Sequence, residues 1–433
     1  MVSIATAPRE HLKINVRKGI DFFYRSVRKT AKVVTKYEEK VIRRVIYYPV
    51  VTDEKVLADL VNRAAWYLPD FAFSQVEIVI PVDVRITKRD VAFLRAPAEQ
   101  QRYIKRLTNI KLVSEEDLSL RLADIILVWD KNKLFDMQVL PHIARTEIVD
   151  PTYYSTVESE VYRSLCYRAL EQEEKRLIVE LSKVNYQSLI NKNSGYDKAY
   201  IFGTGPSLDQ AVEFSYSDGF CVVCNSIVKN KALLQHIKPQ LLVFADPVFH
   251  FSPCLYSAEF RKLMLEAIKE FDCYIMLPER SVPLYLAHYP ELENKIIGMP
   301  VCGGNYNFPS CEKFYVRGSA NILTLFMLPV ASAVAEEIYI IGADGRKPDE
   351  KYFWKHSSSS QFDDLMQSVF DTHPSFFRDR VYTDYYKQHC DFLEGLIHYG
   401  ERLGKKYYTL TPSYIPALEC RLAKGEKNEK LEN

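Results

Sequence analysis

A chain of 433 residues with 47% hydrophobic and 26% charged side chains fits a soluble globular protein of two or three domains. Net charge is only +1, but residues 9–44 hold 12 Lys/Arg against 4 Asp/Glu. The remainder therefore carries 1 − 8 = −7, which excludes a domain-wide nucleic-acid surface and leaves a basic N-terminal arm. Nine cysteines without a framework spacing point to a reducing, cytosolic setting. No apolar run reaches the roughly 18 residues of a membrane span, and Met1 to Pro8 is not a secretory signal.

Taken in order, the arm (1–49) reads as amphipathic helix. Val16, Ile20, Phe23 and Val27 fall at helical spacing among Lys13, Arg17, Arg25, Arg28, Lys29 and Lys32. Two readings stand: peripheral attachment to anionic lipid at the inner face of a membrane, or a solvated helix packed on the next domain. Residues 50–155 read as a small α/β domain, with a helix at 54–67, strands at 76–82 and 123–129, and a short strand at 148–150. Residues 156–195 form a charged helical connector, broken at Asn191-Lys192-Asn193-Ser194-Gly195.

From 196 to 433 the pattern is strand, turn, helix, repeated. Strands are expected at 220–224, 241–244, 273–277, 296–298, 337–341 and 406–410. Helices are expected at 256–271, at 322–335 with a kink at Pro329, and at 384–404. The expected fold is a Rossmann-like, doubly wound, mainly parallel sheet, whose ligands bind beyond the carboxyl ends of the strands. Gly203, Asn225, Asp246 and Asp344 all fall there.

The turn Gly203-Thr204-Gly205-Pro206-Ser207-Leu208-Asp209 follows an apolar strand and opens a helix, which suits a phosphate held by free N–H groups. Leu208 stands where the dinucleotide fingerprint needs a third glycine, and no Lys-Ser or Lys-Thr of a P-loop follows. Cys221-Val222-Val223-Cys224 has the CxxC spacing, but it lies in a strand without a second pair and reads as structural.

Gly203–Leu208, Cys224-Asn225, Glu337–Asp344 and Tyr407–Ser413 occur in an order and spacing that resembles bacterial sialyltransferases of glycosyltransferase family 42. The resemblance covers residues 197–418. It implies inverting transfer of a sialic-acid-like or Kdo-type sugar from a CMP-sugar to a glycan, lipid-linked glycan or protein, without a required metal cofactor, in surface-polysaccharide or glycoconjugate synthesis. It also implies that Gly203, Thr204, Gly205, Pro206, Ser207, Asn225, Asp246, Gly318, Ser319 and Asp344 hold the nucleotide sugar. Counting from Asp344, the family's two phosphate-facing tyrosines fall on Tyr352 and on Arg346, the latter a departure in which a guanidinium would offset phosphate charge. The family's histidine base falls best on His373, with His356 in reserve. Thr204 departs from the family's asparagine, and Arg317 is placed to meet a sugar carboxylate. Family members often assemble as tetramers, so a homo-oligomer is implied.

Asp209 and Asp246-Pro247 are also similar to flagellin-modifying motility accessory factors and archaeal 6-hydroxymethylpterin diphosphokinases. That alternative requires Mg²⁺ on carboxylates such as Asp246 and Asp344. A non-catalytic platform in an envelope-glycan complex is the third reading.

Overall fold

The computed structural model describes residues 8–37, 41–82, 107–154, 157–346, 357–379 and 382–423. Helix α1 (Pro8–Val34) precedes strand β1 (Arg44–Tyr48), helix α2 (Glu54–Tyr67) and strands β2 (Gln75–Ile80), β3 (Ile110–Ser114), β4 (Ile125–Val128) and β5 (Thr146–Ile148). These five strands form one parallel sheet in the order β3-β2-β1-β4-β5. Val45, Ile46 and Tyr47 are buried on both faces of it, as expected of a central parallel strand. β1 thus lies inside the stretch read as basic arm, and the first α/β unit begins before residue 50. Asp53 opens α2 by accepting the N–H groups of Lys55 and Val56.

Of the apolar stripe read on α1, only Val27 packs, against the cluster of Tyr24, Leu134 and Ile143. Ile14, Tyr24 and Asp21 are buried, and Tyr24 Oη donates to the Thr146 carbonyl at 2.7 Å. Arg28 pairs with Glu147, and Arg17 reaches Asp379 at 2.5 Å. Val16, Ile20 and Phe23 stay exposed.

Helices α3 (Val157–Arg168) and α4 (Gln172–Asn193) lead into the second sheet. Its strands are β6 (Lys198–Phe202), β7 (Gly219–Cys224), β8 (Leu241–Val243), β9 (Tyr274–Pro278), β10 (Ile296–Met299), β13 (Glu337–Ile341) and β14 (Lys406–Thr409). Between β10 and β13, the short pair β11 (Val301–Cys302) and β12 (Val316–Arg317) stands apart. The large sheet runs β10-β9-β8-β7-β6-β13-β14, all parallel. The chain enters at β6, steps outward to β10, then crosses back to β13. Strand order therefore reverses between β6 and β13, and the carboxyl ends there open a crevice. This is a Rossmann-like, mainly parallel α/β fold with a second parallel sheet before it.

The apolar stretch at 322–335 is a π-turn (Leu323–Met327) running into a short α-helix (Leu328–Val334), so its irregularity precedes Pro329. Cys221 and Cys224 are buried with thiols pushed up by desolvation, which fits their structural reading.

One apolar core runs through both sheets, from Tyr47 and Trp66 to Phe202 and Ile338. α2 carries its polar groups into the seam. Trp66 Nε1 donates to the Phe251 carbonyl at 2.7 Å, and its ring lies between His288 (3.8 Å) and the Arg261 guanidinium (4.0 Å). Arg63, also fully buried, bonds Asp59 at 2.7 Å and the Thr372 carbonyl at 2.6 Å, with Glu158 at 3.6 Å.

Candidate functional site

The crevice is a cleft of about 740 Å³. Its floor is the turn pair at the reversal of strand order. Gly203 N–H donates to the Ile341 carbonyl at 2.8 Å, and Gly205 N–H to that of Gly342 at 2.9 Å. The two backbones approach so closely that a Cβ on Gly342 would stand 2.1 Å from the Gly203 oxygen, and Gly342 also has φ +75°. Only glycine fits such a crossing. Gly342→Ala is expected to cost about 2–4 kcal/mol, read as a melting point lowered by several degrees. An unchanged melting point would show that the turns can separate.

Ser207 Oγ accepts from Gly342 N–H at 3.1 Å, while Ser207 N–H donates to both Asp344 oxygens at 3.2 Å. This corrects the expectation of free N–H groups for a phosphate. The amides of Gly203, Gly205 and Ser207 are all engaged, and Pro206 has none. Asp344 caps the 3-10 helix Pro206–Glu213 instead. Burial raises its carboxyl above the ordinary range, with the Ser207 bonds opposing.

Gly203, Thr204, Gly205, Asn225, Asp246, Ser319 and Asp344 line the cleft; Pro206, Ser207 and Gly318 do not. Asn225 ends β7 in a left-handed conformation (φ +50°), which asparagine tolerates better than most residues. Its Oδ1 is buried and accepts no hydrogen bond among the described residues. Asp246 Oδ1 accepts the N–H groups of Val248 and Phe249, so this strand-end aspartate also shapes its own turn. Ser319 Oγ lies 2.5 Å from Thr324 Oγ1, and Leu323, Leu325 and Met327 of the π-turn form an apolar wall beside it.

The expected catalytic residues are dispersed. Tyr352 and the reserve His356 lie outside the described residues. Arg346 does not line the cleft; its guanidinium sits 4.9 Å over the Tyr386 ring. Arg317 likewise stacks over Tyr306 at 4.4 Å. His373 is in the seam between the sheets, fully buried, with Nε2 2.8 Å from Ser252 Oγ and Nδ1 bonded to Glu158. Ser252, His373 and Glu158 make a hydroxyl–imidazole–carboxylate row, yet none of the three is accessible. The expectation that His373 faces the acceptor is thereby corrected: desolvated groups in a closed core cannot meet a substrate. Burial raises the Glu158 carboxyl, but His373 and Arg63 outweigh it and hold the group below its ordinary value.

The cleft has a different histidine. His389 lines it from helix Tyr382–Arg402, one turn after Tyr385, which also lines it and whose hydroxyl donates to the Ala320 carbonyl. Burial lowers the His389 pKa to about 4, so the imidazole is neutral near pH 7. The signal in the sequence was the i, i+4 spacing of Tyr385 and His389, which puts both on one helix face. Among the described residues no group of three His, Cys, Asp or Glu side chains is placed to hold a metal.

No family model and no curated protein matches this sequence. Two solved structures of the sialyltransferase CstII from Campylobacter jejuni match in part. The complex with the substrate analogue CMP-3FNeuAc shares 16% identity at a TM-score of 0.29, covering 54% of this chain and 92% of that one. The complex with cytidine-5'-monophosphate shares 18% at 0.27, covering 54% and 90%. At that distance the likeness extends to neither residues nor ligands, and the chemistry of the cleft stands on its own side chains.

Proposed function

We propose that this chain is a glycosyltransferase that moves a sialic-acid-like sugar from a CMP-sugar to an acceptor hydroxyl, with inversion. One observation carries the reading: a cleft at the reversal of strand order holds a buried, unsatisfied acceptor oxygen, Asn225 Oδ1, and a neutral buried imidazole, His389. The motif order from Gly203 to Ser413 supports the choice of sugar donor.

Asn225 Oδ1 meets a donor group of the nucleotide, an amino or hydroxyl hydrogen, which removes the cost of leaving that oxygen dry. Thr204 and Ser319 line the same space. His389 accepts the proton of the acceptor hydroxyl as its oxygen bonds the anomeric carbon. The bond from that carbon to the phosphate oxygen breaks on the opposite face, and CMP leaves with the electron pair. The transition state is oxocarbenium-like, so donors on the departing phosphate lower the barrier most.

Calorimetry with CMP, CDP, ATP and GTP, with and without Mg²⁺, tests this. Micromolar CMP binding that ignores Mg²⁺ and weakens at least about tenfold in Asn225→Ala is expected. Mg²⁺-dependent ATP binding without a response to CMP would overturn the reading and favour a diphosphokinase using Asp246 and Asp344, which both line the cleft. Silence from every nucleotide would leave the platform.

A further inference from the structure

Helix α1 presents to the outside three residues of its apolar stripe, Val16, Ile20 and Phe23, together with Phe22. Phe22 is 74% exposed, Phe23 59% and Val16 53%, while Tyr24 holds the helix to the first sheet. A second segment joins them from the loop after β4. Phe135 lies 6.1 Å from Phe23, ring centre to ring centre, and Met137 beside it in sequence is 79% exposed. Between helix and loop runs a groove of about 750 Å³ lined by Val16, Ile20, Phe23, Leu134 and Phe135. Two segments more than a hundred residues apart thus contribute to one uncovered apolar surface, larger in character than scattered surface residues.

Its rim is cationic. α1 holds eight Lys/Arg (Arg9, Lys13, Arg17, Lys18, Arg25, Arg28, Lys29, Lys32) against Glu10 and Asp21, so its net charge is 8 − 2 = +6. Lys13, Lys18 and Lys29 on the helix and Lys131 and Lys133 on the loop are exposed. The nearby carboxylates are taken up locally: Asp21 is buried against Arg25 at 2.7 Å, and Asp136 lies 3.6 Å from Lys133. A second copy of the chain would bring two such helices together with like charge facing like charge, which disfavours self-pairing.

We infer that this surface docks on an anionic lipid bilayer, with Phe22, Phe23, Phe135 and Met137 entering the headgroup–acyl boundary and the lysines meeting lipid phosphates. The inference stands apart from the identity of the nucleotide in the cleft. No helix among the described residues is long and apolar enough to cross a membrane.

The test is co-sedimentation of the full chain with vesicles of phosphatidylcholine alone and with roughly a third phosphatidylglycerol, at low and raised salt. Binding to the anionic vesicles is expected, weakening at least about tenfold with salt, in Lys13→Glu/Lys18→Glu/Lys29→Glu, and in Phe22→Ser/Phe23→Ser. These positions are exposed, so both variants should melt within about 2 °C of the parent. Failure to sediment with anionic vesicles would overturn the inference, as would equal binding to both compositions or no loss in either variant. Dimers in solution that Phe22→Ser/Phe23→Ser abolishes would assign the surface to a second copy instead.

Discussion

Turnover of His389→Gln is expected to fall by about 10²–10³, measured with the donor that the binding screen selects, while CMP affinity stays within about twofold. Glutamine keeps the size and polarity of the side chain but cannot take a proton. The effect should therefore appear in kcat and not in nucleotide binding. The pH profile separates this role from a structural one. Burial holds His389 at about 4, against an ordinary histidine value of 6.5. The acid limb of kcat/KM should then lie near pH 4 and not near 6.5. Stability carries the same signature. Because the folded pKa lies below the unfolded one, the unfolded chain binds more protons between those values. The contribution is full above pH 6.5 and is lost as pH falls through 4, about 3 kcal/mol in all. His389→Gln should remove that decline, while His250, held near 3 by burial, keeps its own. Unchanged turnover in the variant, or an acid limb at pH 6.5, would remove His389 from the reaction.

Arg63→Met is expected to destabilise the fold by about 3–5 kcal/mol, read as a large drop in melting point. The guanidinium is 1% exposed, serves Asp59 and the Thr372 carbonyl, and neutralises Glu158, itself 1% exposed. Removing it strands carboxylate charge in a medium that solvates it poorly. Glu158→Gln introduced into the Arg63→Met background should restore part of the loss, because one of the stranded charges is gone. Strict additivity of the two substitutions, or a loss below about 1 kcal/mol, would show that the pair is not coupled.

The second sheet was legible almost strand by strand. Apolar runs such as Glu337–Ile341 are bounded by charges and glycines, and buried parallel strands leave that imprint. Gly203, Asn225, Asp246 and Asp344 converge as expected, because strand ends at one edge of a parallel sheet must. β1 was hidden because Arg43 and Arg44 continue the basic pattern of the arm, and the four buried residues after them are too few to break a helical reading. The amide turn misled for a different reason. Glycine, proline and serine announce a tight backbone, but not that a carboxylate 137 residues away would claim the Ser207 N–H, with two carbonyls of the same strand end taking those of Gly203 and Gly205. His373 was expected at the cleft because His373 and His389 are equally polar on paper. Only packing separates a histidine sealed against Glu158 from one on a cleft wall.

The bond between Arg17 and Asp379 spans 362 residues and bears on how the chain is made. At about 5–20 residues per second, roughly 20–70 s separate the synthesis of its two ends. α1 gains its bed on the first sheet earlier, once Thr146 has been added, yet the clamp on Arg17 closes only after nearly the whole second sheet has left the ribosome. For that interval the helix meets the cell with its aromatic and cationic faces open and its amino-terminal half unpinned. A surface that attracts it can therefore capture the nascent chain before the cleft exists. Attachment would then come first, with the second sheet folding in place.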